Sequence, residues 1–177
     1  MVDIITVEYD QKIKEIGVVS DTHIPARGHY IPARVFQLLE DAQLILHAGD
    51  LVDQVVLDEL SALAPVEAVA GNMDPGHLQK RLGKVKLIKI GALSIGLLHG
   101  DFSGRRIDLE QLEGIFKPEK PGAVVFGHLH EPVSKMHRGT LFFNPGSVID
   151  PRRRNKRSCG RLLISGNEIK GEIFFVE

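Results

Sequence analysis

The sequence predicts an α/β protein in which two sheets pack face to face with helices outside, and three observations predict it. The first part of the chain reads strand, helix, strand, helix, strand, the order of a parallel sheet with right-handed crossovers. From residue 84 the texture changes to paired strands separated by turn residues, which is mainly antiparallel. The chain has 177 residues, 43% of them hydrophobic, which fits one domain (1–177) with a real core.

The elements follow in order. Residues 1–15 alternate weakly and form either an extra edge strand or an extension. Ile16 to Ser20 is a compact apolar strand that runs straight into Asp21-Thr22-His23. Pro25, Gly28 and Pro32 mark a loop, and 33–40 carries Val35, Leu38 and Leu39 at helical spacing. Leu44 to His47 is the next strand, ending in Gly49-Asp50. Val55, Val56, Leu60 and Leu63 fall on one face of a helix over 53–63. Val66 to Ala70 is a strand ending in Gly71-Asn72-Met73-Asp74. Residues 85–90 and 93–98 form a hairpin whose second strand ends in His99-Gly100-Asp101. A helix is predicted over 105–116, then a strand over 123–126 ending in Gly127-His128-Leu129-His130. Two hairpins close the chain, turning at Arg138-Gly139 and at Gly166-Asn167.

Composition narrows the function. A net charge of −1 is not that of a protein that coats nucleic acid, although a local basic patch leaves nucleic-acid binding open. There is no Trp, so stacking on exposed bases is unsupported. The lone Cys159 reads as a small core residue and points to a reducing, cytoplasmic compartment. No signal peptide or membrane span is expected.

The chemistry sits at strand ends. Five of them deliver Asp21 and His23, Asp50, Asn72, His99, and His128 with His130. Each has an ordinary reading as a cap, a turn or a surface residue. Together they are oxygen and imidazole donors without a thiolate, a set suited to Mn, Fe, Zn, Co or Ni. Seven ligands exceed one ion and suffice for two that share a bridging carboxylate. Residues two apart in an extended segment point the same way, so Asp21/His23 and His128/His130 are each expected to aim at one cavity.

Asp21-x-His23, Gly49-Asp50, Gly71-Asn72, His99-Gly100 and Gly127-His128-x-His130 resemble the ordered motif set of the calcineurin-like metallophosphoesterases. With the Asn144-Pro145-Gly146-Ser147 loop and the small size, the chain is most similar to their small bacterial and archaeal phosphodiesterase branch. The eukaryotic retromer subunit belongs to that branch as well. The resemblance implies a four-layer α/β/β/α sandwich of two packed mixed sheets with flanking helices. It implies two divalent transition-metal ions, manganese foremost, at its rim. Asp21, His23 and His130 would hold one ion with Asp50; Asn72, His99 and His128 would hold the other, with Asp50 bridging. Asp50, Asn72 and His99 would take part in catalysis. The implied reaction is in-line hydrolysis of a small phosphodiester or nucleotide by a hydroxide that the two ions activate.

One departure bears on the chemistry. Much of the superfamily has a His after the motif Asn, thought to protonate the leaving group; here it is Met73, which cannot transfer a proton. General-acid help is typically worth 10²–10⁴-fold, so good leaving groups should be favoured. Asp74 is read either as an indirect aid or as a cap of the following segment. Arg152 to Arg157 forms a basic loop, solvated or holding a substrate phosphate, and Arg27, Arg105 and Arg106 are weaker candidates of the same kind. His29, His47, His77 and His137 are read as non-ligands. Two other functions compete: a protein-interaction scaffold, which predicts eroded ligands, and a nuclease or nucleotide phosphatase on the same ions. The C-terminal strands offer an edge for homo-oligomer formation.

Overall fold

In the computed structural model, which describes residues 2–9, 12–103, 108–152 and 156–176, two mixed sheets stack between helical layers. One sheet has five strands. β2 (Glu15–Val19), β3 (Leu44–His47) and β4 (Val66–Ala68) run parallel; β10 (Ser158–Ser165) and β11 (Glu168–Phe175) complete it in the order β11-β10-β2-β3-β4. The other has six strands. They are β1 (Ile5–Tyr9), β5 (Val85–Ile90), β6 (Leu93–Leu98), β7 (Ala123–Val125), β8 (Pro132–His137) and β9 (Thr140–Pro145), in the order β1-β5-β6-β7-β9-β8. Of the two readings of the first residues, the edge strand is the one that forms. β1 pairs parallel with β5, in the opposite sheet from β2.

Strand alternation sorts the core into three layers. Ile16, Val18, Leu44 and Leu46 face Ile88, Ile95, Leu97 and Phe143 across the gap between the sheets. Val19 and Ile45, from the other face of β2 and β3, pack under α1 (Ala33–Leu38), α2 (Val55–Ser61) and α3 (Gly76–Leu82). Val85, Leu87 and Leu98 pack under Leu112 and Phe116, at α4 (Leu109–Ile115). This is the expected four-layer order.

Local chemistry sets the ends of these elements. Asp108 caps α4 by accepting the Glu110 and Gln111 N–H groups at 3.0 and 3.3 Å; residues 105–107 of the predicted helix lie outside the described ones. The β8–β9 turn places Arg138 and Gly139 at φ 48° and 87°, the left-handed pair of a tight hairpin turn. Helix α3 was not expected. It carries only Leu78 and Leu82 as buried apolar residues, too few to show a stripe in the sequence. No described helix is long and apolar enough to cross a membrane.

Candidate metal centre

The loops that leave β2, β3, β6 and β7 converge at one edge of the sheet pair. Asp21, His23, Asp50, His99 and His130 are all buried there. Their ligand atoms form two overlapping groups, Asp21/His23/His130 and Asp21/Asp50/His99. His23 Nε2 and His130 Nε2 face each other at 3.2 Å. Asp21 Oδ1 lies 3.3 Å from His130 Nε2, and Asp50 Oδ2 lies 3.2 Å from His99 Nε2 and 3.7 Å from His23 Nε2.

The backbone delivers these side chains in a way the sequence did not suggest. Asp21, His23, Asp50, His128 and His130 have φ of 52°, 47°, 58°, 69° and 59°. The expectation of extended segments with side chains two apart on one side is therefore corrected. Left-handed turns bring Asp21 and His23 together. They split the other pair: His130 stacks on His23 with ring centroids 5.0 Å apart, while His128 meets His99 edge-on at 5.2 Å. Such conformations cost energy in non-glycine residues and persist where the surroundings hold them. Close approach requires glycine beside them. A Cβ at Gly71 would collide with Asp50 Oδ1, and one at Gly127 with Ser20 Oγ.

Backbone carbonyls fix the tautomers. A carbonyl only accepts, so His99 Nδ1 donates to Ala48 O at 2.7 Å and His130 Nδ1 donates to Asp150 O at 2.6 Å. In the neutral rings each Nε2 lone pair then points into the cluster, toward carboxylate oxygens. His99 Nε2 lies near Asp50 but makes no hydrogen bond, and buried Asp21 Oδ1 has no hydrogen-bond partner. Lone pair against carboxylate is a repulsion that only a proton or a cation relieves. Unsatisfied buried acceptors made of metal-donor types fit a divalent ion.

The electrostatics agree. Burial opposes charge on His99, but the adjacent Asp50 carboxylate and the Asp21 charge outweigh it and raise its pKa to about 9. Burial likewise opposes the charge of Asp50, yet His99 and the Met73 N–H bring it down to about 2. Asp21 is held below the usual carboxylate range, against burial, by His130 and His99. Burial pushes His23 down, against the pull of the Asp21 and Asp50 charges, and burial with the His99 charge pushes His128 down, leaving neutral imidazoles ready to donate.

The remaining predicted ligands sit at the margin. His128 is half-buried and Asn72 is exposed. The residue after Asn72 touches Asp50, since the Met73 N–H donates to Asp50 Oδ1 at 2.8 Å. His47 is buried, but both its nitrogens are used. It accepts the Gly49 N–H at 3.2 Å and donates to Thr22 Oγ1 at 3.1 Å, and burial takes its pKa down to about 3. Arg27 pairs with Asp150 at 3.0 Å. Arg152 is exposed; Arg105, Arg106 and residues 153–155 lie outside the described residues.

Sequence reasoning left the bracing residues without roles. Ser20 donates to Asp21 Oδ2 at 2.5 Å, Ser147 donates to Asp21 O at 2.7 Å, and Asn144 donates to Gly127 O at 2.8 Å. The Asn144–Ser147 loop was noticed as a motif, but its ties to Asp21 and Gly127 needed coordinates. Asp74 caps nothing; the first turn of α3 has no side-chain cap. Its carboxylate instead accepts N–H groups from Asp50, Val52 and Gly71.

Residues 15–167 match the calcineurin-like phosphoesterase superfamily domain. A probable metallophosphoesterase of Methanothermobacter thermautotrophicus is 40% identical over 158 residues, 89% of this chain and 90% of that protein. Wild-type Vps29 of Entamoeba histolytica, solved complexed with Zn²⁺, superposes with a TM-score of 0.73 at 27% identity, covering 91% of this chain and 98% of that one. The structure of an archaeal phosphodiesterase is also similar, with a TM-score of 0.65 at 24% identity, covering 90% and 99%.

Proposed function

This chain belongs to the calcineurin-like phosphoesterase superfamily, and from that premise we propose that it is a metal-dependent phosphodiesterase with a dinuclear centre. The observation that carries this reading is the pair of buried polar atoms without a hydrogen-bond partner, Asp21 Oδ1 and His99 Nε2, inside a cluster of ligand-type side chains.

Asp21, His23 and His130 would hold one divalent ion with Asp50; His99, His128 and Asn72 would hold the other, Asp50 serving both. Asp50 supports the shared role because its oxygens divide their work. Oδ1 accepts the Met73 N–H, while Oδ2 faces both His99 and His23. When bound, such ions would supply an activated water and offset charge on the phosphate oxygens. Ala48 O and Asp150 O keep the His99 and His130 rings from rotating, which pre-organises the donors. Met73 follows Asn72 and is exposed, so no side chain at that position protonates the departing oxygen. Leaving groups that depart as stable anions are therefore preferred.

The scaffold reading predicts missing ligands, and all seven are present in the sequence. The test is hydrolysis by the full chain loaded with Mn²⁺. Bis(p-nitrophenyl) phosphate should be cleaved, and p-nitrophenyl phosphate more slowly. Cyclic nucleotides and single-stranded DNA separate a small-diester enzyme from a nuclease. No turnover of any of the four contradicts the proposal.

A further inference from the structure

We infer that Asp74 is a positioning residue, whose buried carboxylate locks the strained turn that presents Asp50 and thereby sets the affinity of the metal centre. This rests on the metal-centre reading of the site.

The turn after β3 is strained twice. Asp50 and Val52 have φ of 58° and 78°. Asp tolerates the left-handed region; a β-branched Val there is a genuine outlier. Something must hold it. Asp74 is 3% exposed. Its Oδ1 accepts the Val52 N–H at 2.7 Å; its Oδ2 accepts the Asp50 N–H at 3.0 Å and the Gly71 N–H at 2.7 Å. One carboxylate thus grips both strained residues and staples the β3 loop to the β4 loop. The staple is reciprocal, because Met73, next to Asp74, donates its N–H to Asp50 Oδ1. That second bond turns Asp50 Oδ2 toward His99 and His23. Asp74 is itself held: Gln79 Nε2 donates to its carbonyl at 2.6 Å.

The chemistry specifies a carboxylate. Three N–H groups converge on two oxygens, and both oxygens of an ionised Asp can only accept. An Asn of the same shape would turn an NH₂ toward one of these donors. It would lose either the Val52 bond or the Asp50 and Gly71 bonds. Bonds of this charge-assisted kind are about twice as strong as neutral ones.

The test compares wild type, Asp74→Asn and the double variant Asp74→Asn/Val52→Gly. Mn²⁺ binding is measured by calorimetry, alongside melting of the metal-stripped proteins. Asp74→Asn should weaken Mn²⁺ binding by roughly 10–100-fold, the usual effect of removing a supporting group around a metal ligand. It should lower kcat more than it raises KM. Glycine takes φ near 78° without strain, so the double variant should recover several-fold of the lost affinity. A purely structural role would lower the melting temperature of Asp74→Asn while its folded fraction binds Mn²⁺ normally. Affinity within about twofold of wild type in Asp74→Asn, or no recovery in the double variant, overturns the inference. Should Asp74→Asn fail to fold, amide exchange in wild type decides. The Asp50, Val52 and Gly71 amides should be strongly protected, and fast exchange at all three overturns the clamp. Wild type that binds no Mn²⁺ overturns the metal-centre reading instead, which keeps the two failures apart.

Discussion

The two halves of the candidate centre each pair two histidines with one oxygen donor, Asp21 or Asn72, in opposite settings. Asp21, His23 and His130 are all buried, and two of the three are braced: Asp21 by Ser20 and the His128 N–H, His130 by Asp150 O. On the other side only His99 is buried and braced; His128 is half-buried and Asn72 is exposed. A buried, braced donor has already given up its rotamer freedom, whereas an exposed one gives it up on binding, at about 0.5–1.5 kcal/mol per side chain. The difference teaches that two ions, as proposed for this centre, need not be bound equally. The His23/His130 side should be the tight site and the Asn72/His128 side the exchangeable one.

Removing the shared ligand should abolish the contrast altogether, and it carries the largest expected effect. Asp50→Ala should bind neither ion in a stable way and lose roughly 10³-fold or more in kcat, since both charge stabilisation and water activation depend on the centre. Elemental analysis and steady-state kinetics check this.

Leaving-group dependence comes next. With Met73 where a proton donor would stand, aryl diesters should exceed alkyl diesters by more than the roughly 10²–10⁴-fold that general-acid help can supply. A rate insensitive to leaving-group pKa would mean that another group donates the proton.

Single-ligand variants sharpen the comparison directly. His130→Ala should abolish the tighter Mn²⁺ binding step, while Asn72→Ala should weaken only the looser step by roughly 10–100-fold. Equal losses in a calorimetric titration would break the proposed asymmetry.

The smallest effect is on stability against pH in the metal-stripped protein. His99 has its pKa raised from 6.5 to about 9 on folding, so its contribution is fully present below 6.5 and is lost as pH rises through 9. Asp50 has its pKa lowered from 3.8 to about 2, so its contribution is present above 3.8 and is lost as pH falls through 2. Melting temperature should therefore fall between pH 6.5 and 9, and Mn²⁺, which replaces the proton on His99, should remove that fall. A melting temperature that rises over this range contradicts the assignment.

How much of this was legible in the sequence follows from what each feature is made of. The layers were legible because β2, β3 and β6 alternate or run apolar and end in residue types that packing does not need. The candidate ligands were legible for the same reason. The way they are aimed was not, because the expected extended pairs are left-handed turns and φ leaves no mark on Asp or His. The braces were also hidden. His99 and His130 are oriented by the carbonyls of Ala48 and Asp150, and a carbonyl carries no residue signature. Asp74 stayed open between an indirect aid and a cap because a capping Asp and a clamping Asp look alike until their N–H partners are known. β1 was ambiguous because its partner, β5, lies some eighty residues on.

The measurement that tests the account most directly is a calorimetric titration of metal-stripped protein with Mn²⁺, repeated on Asp50→Ala. The account predicts two ions per chain taken up in two resolved steps, tight then weak, with both steps lost in the variant. One ion per chain, or two that survive the loss of Asp50, would contradict a shared-carboxylate centre.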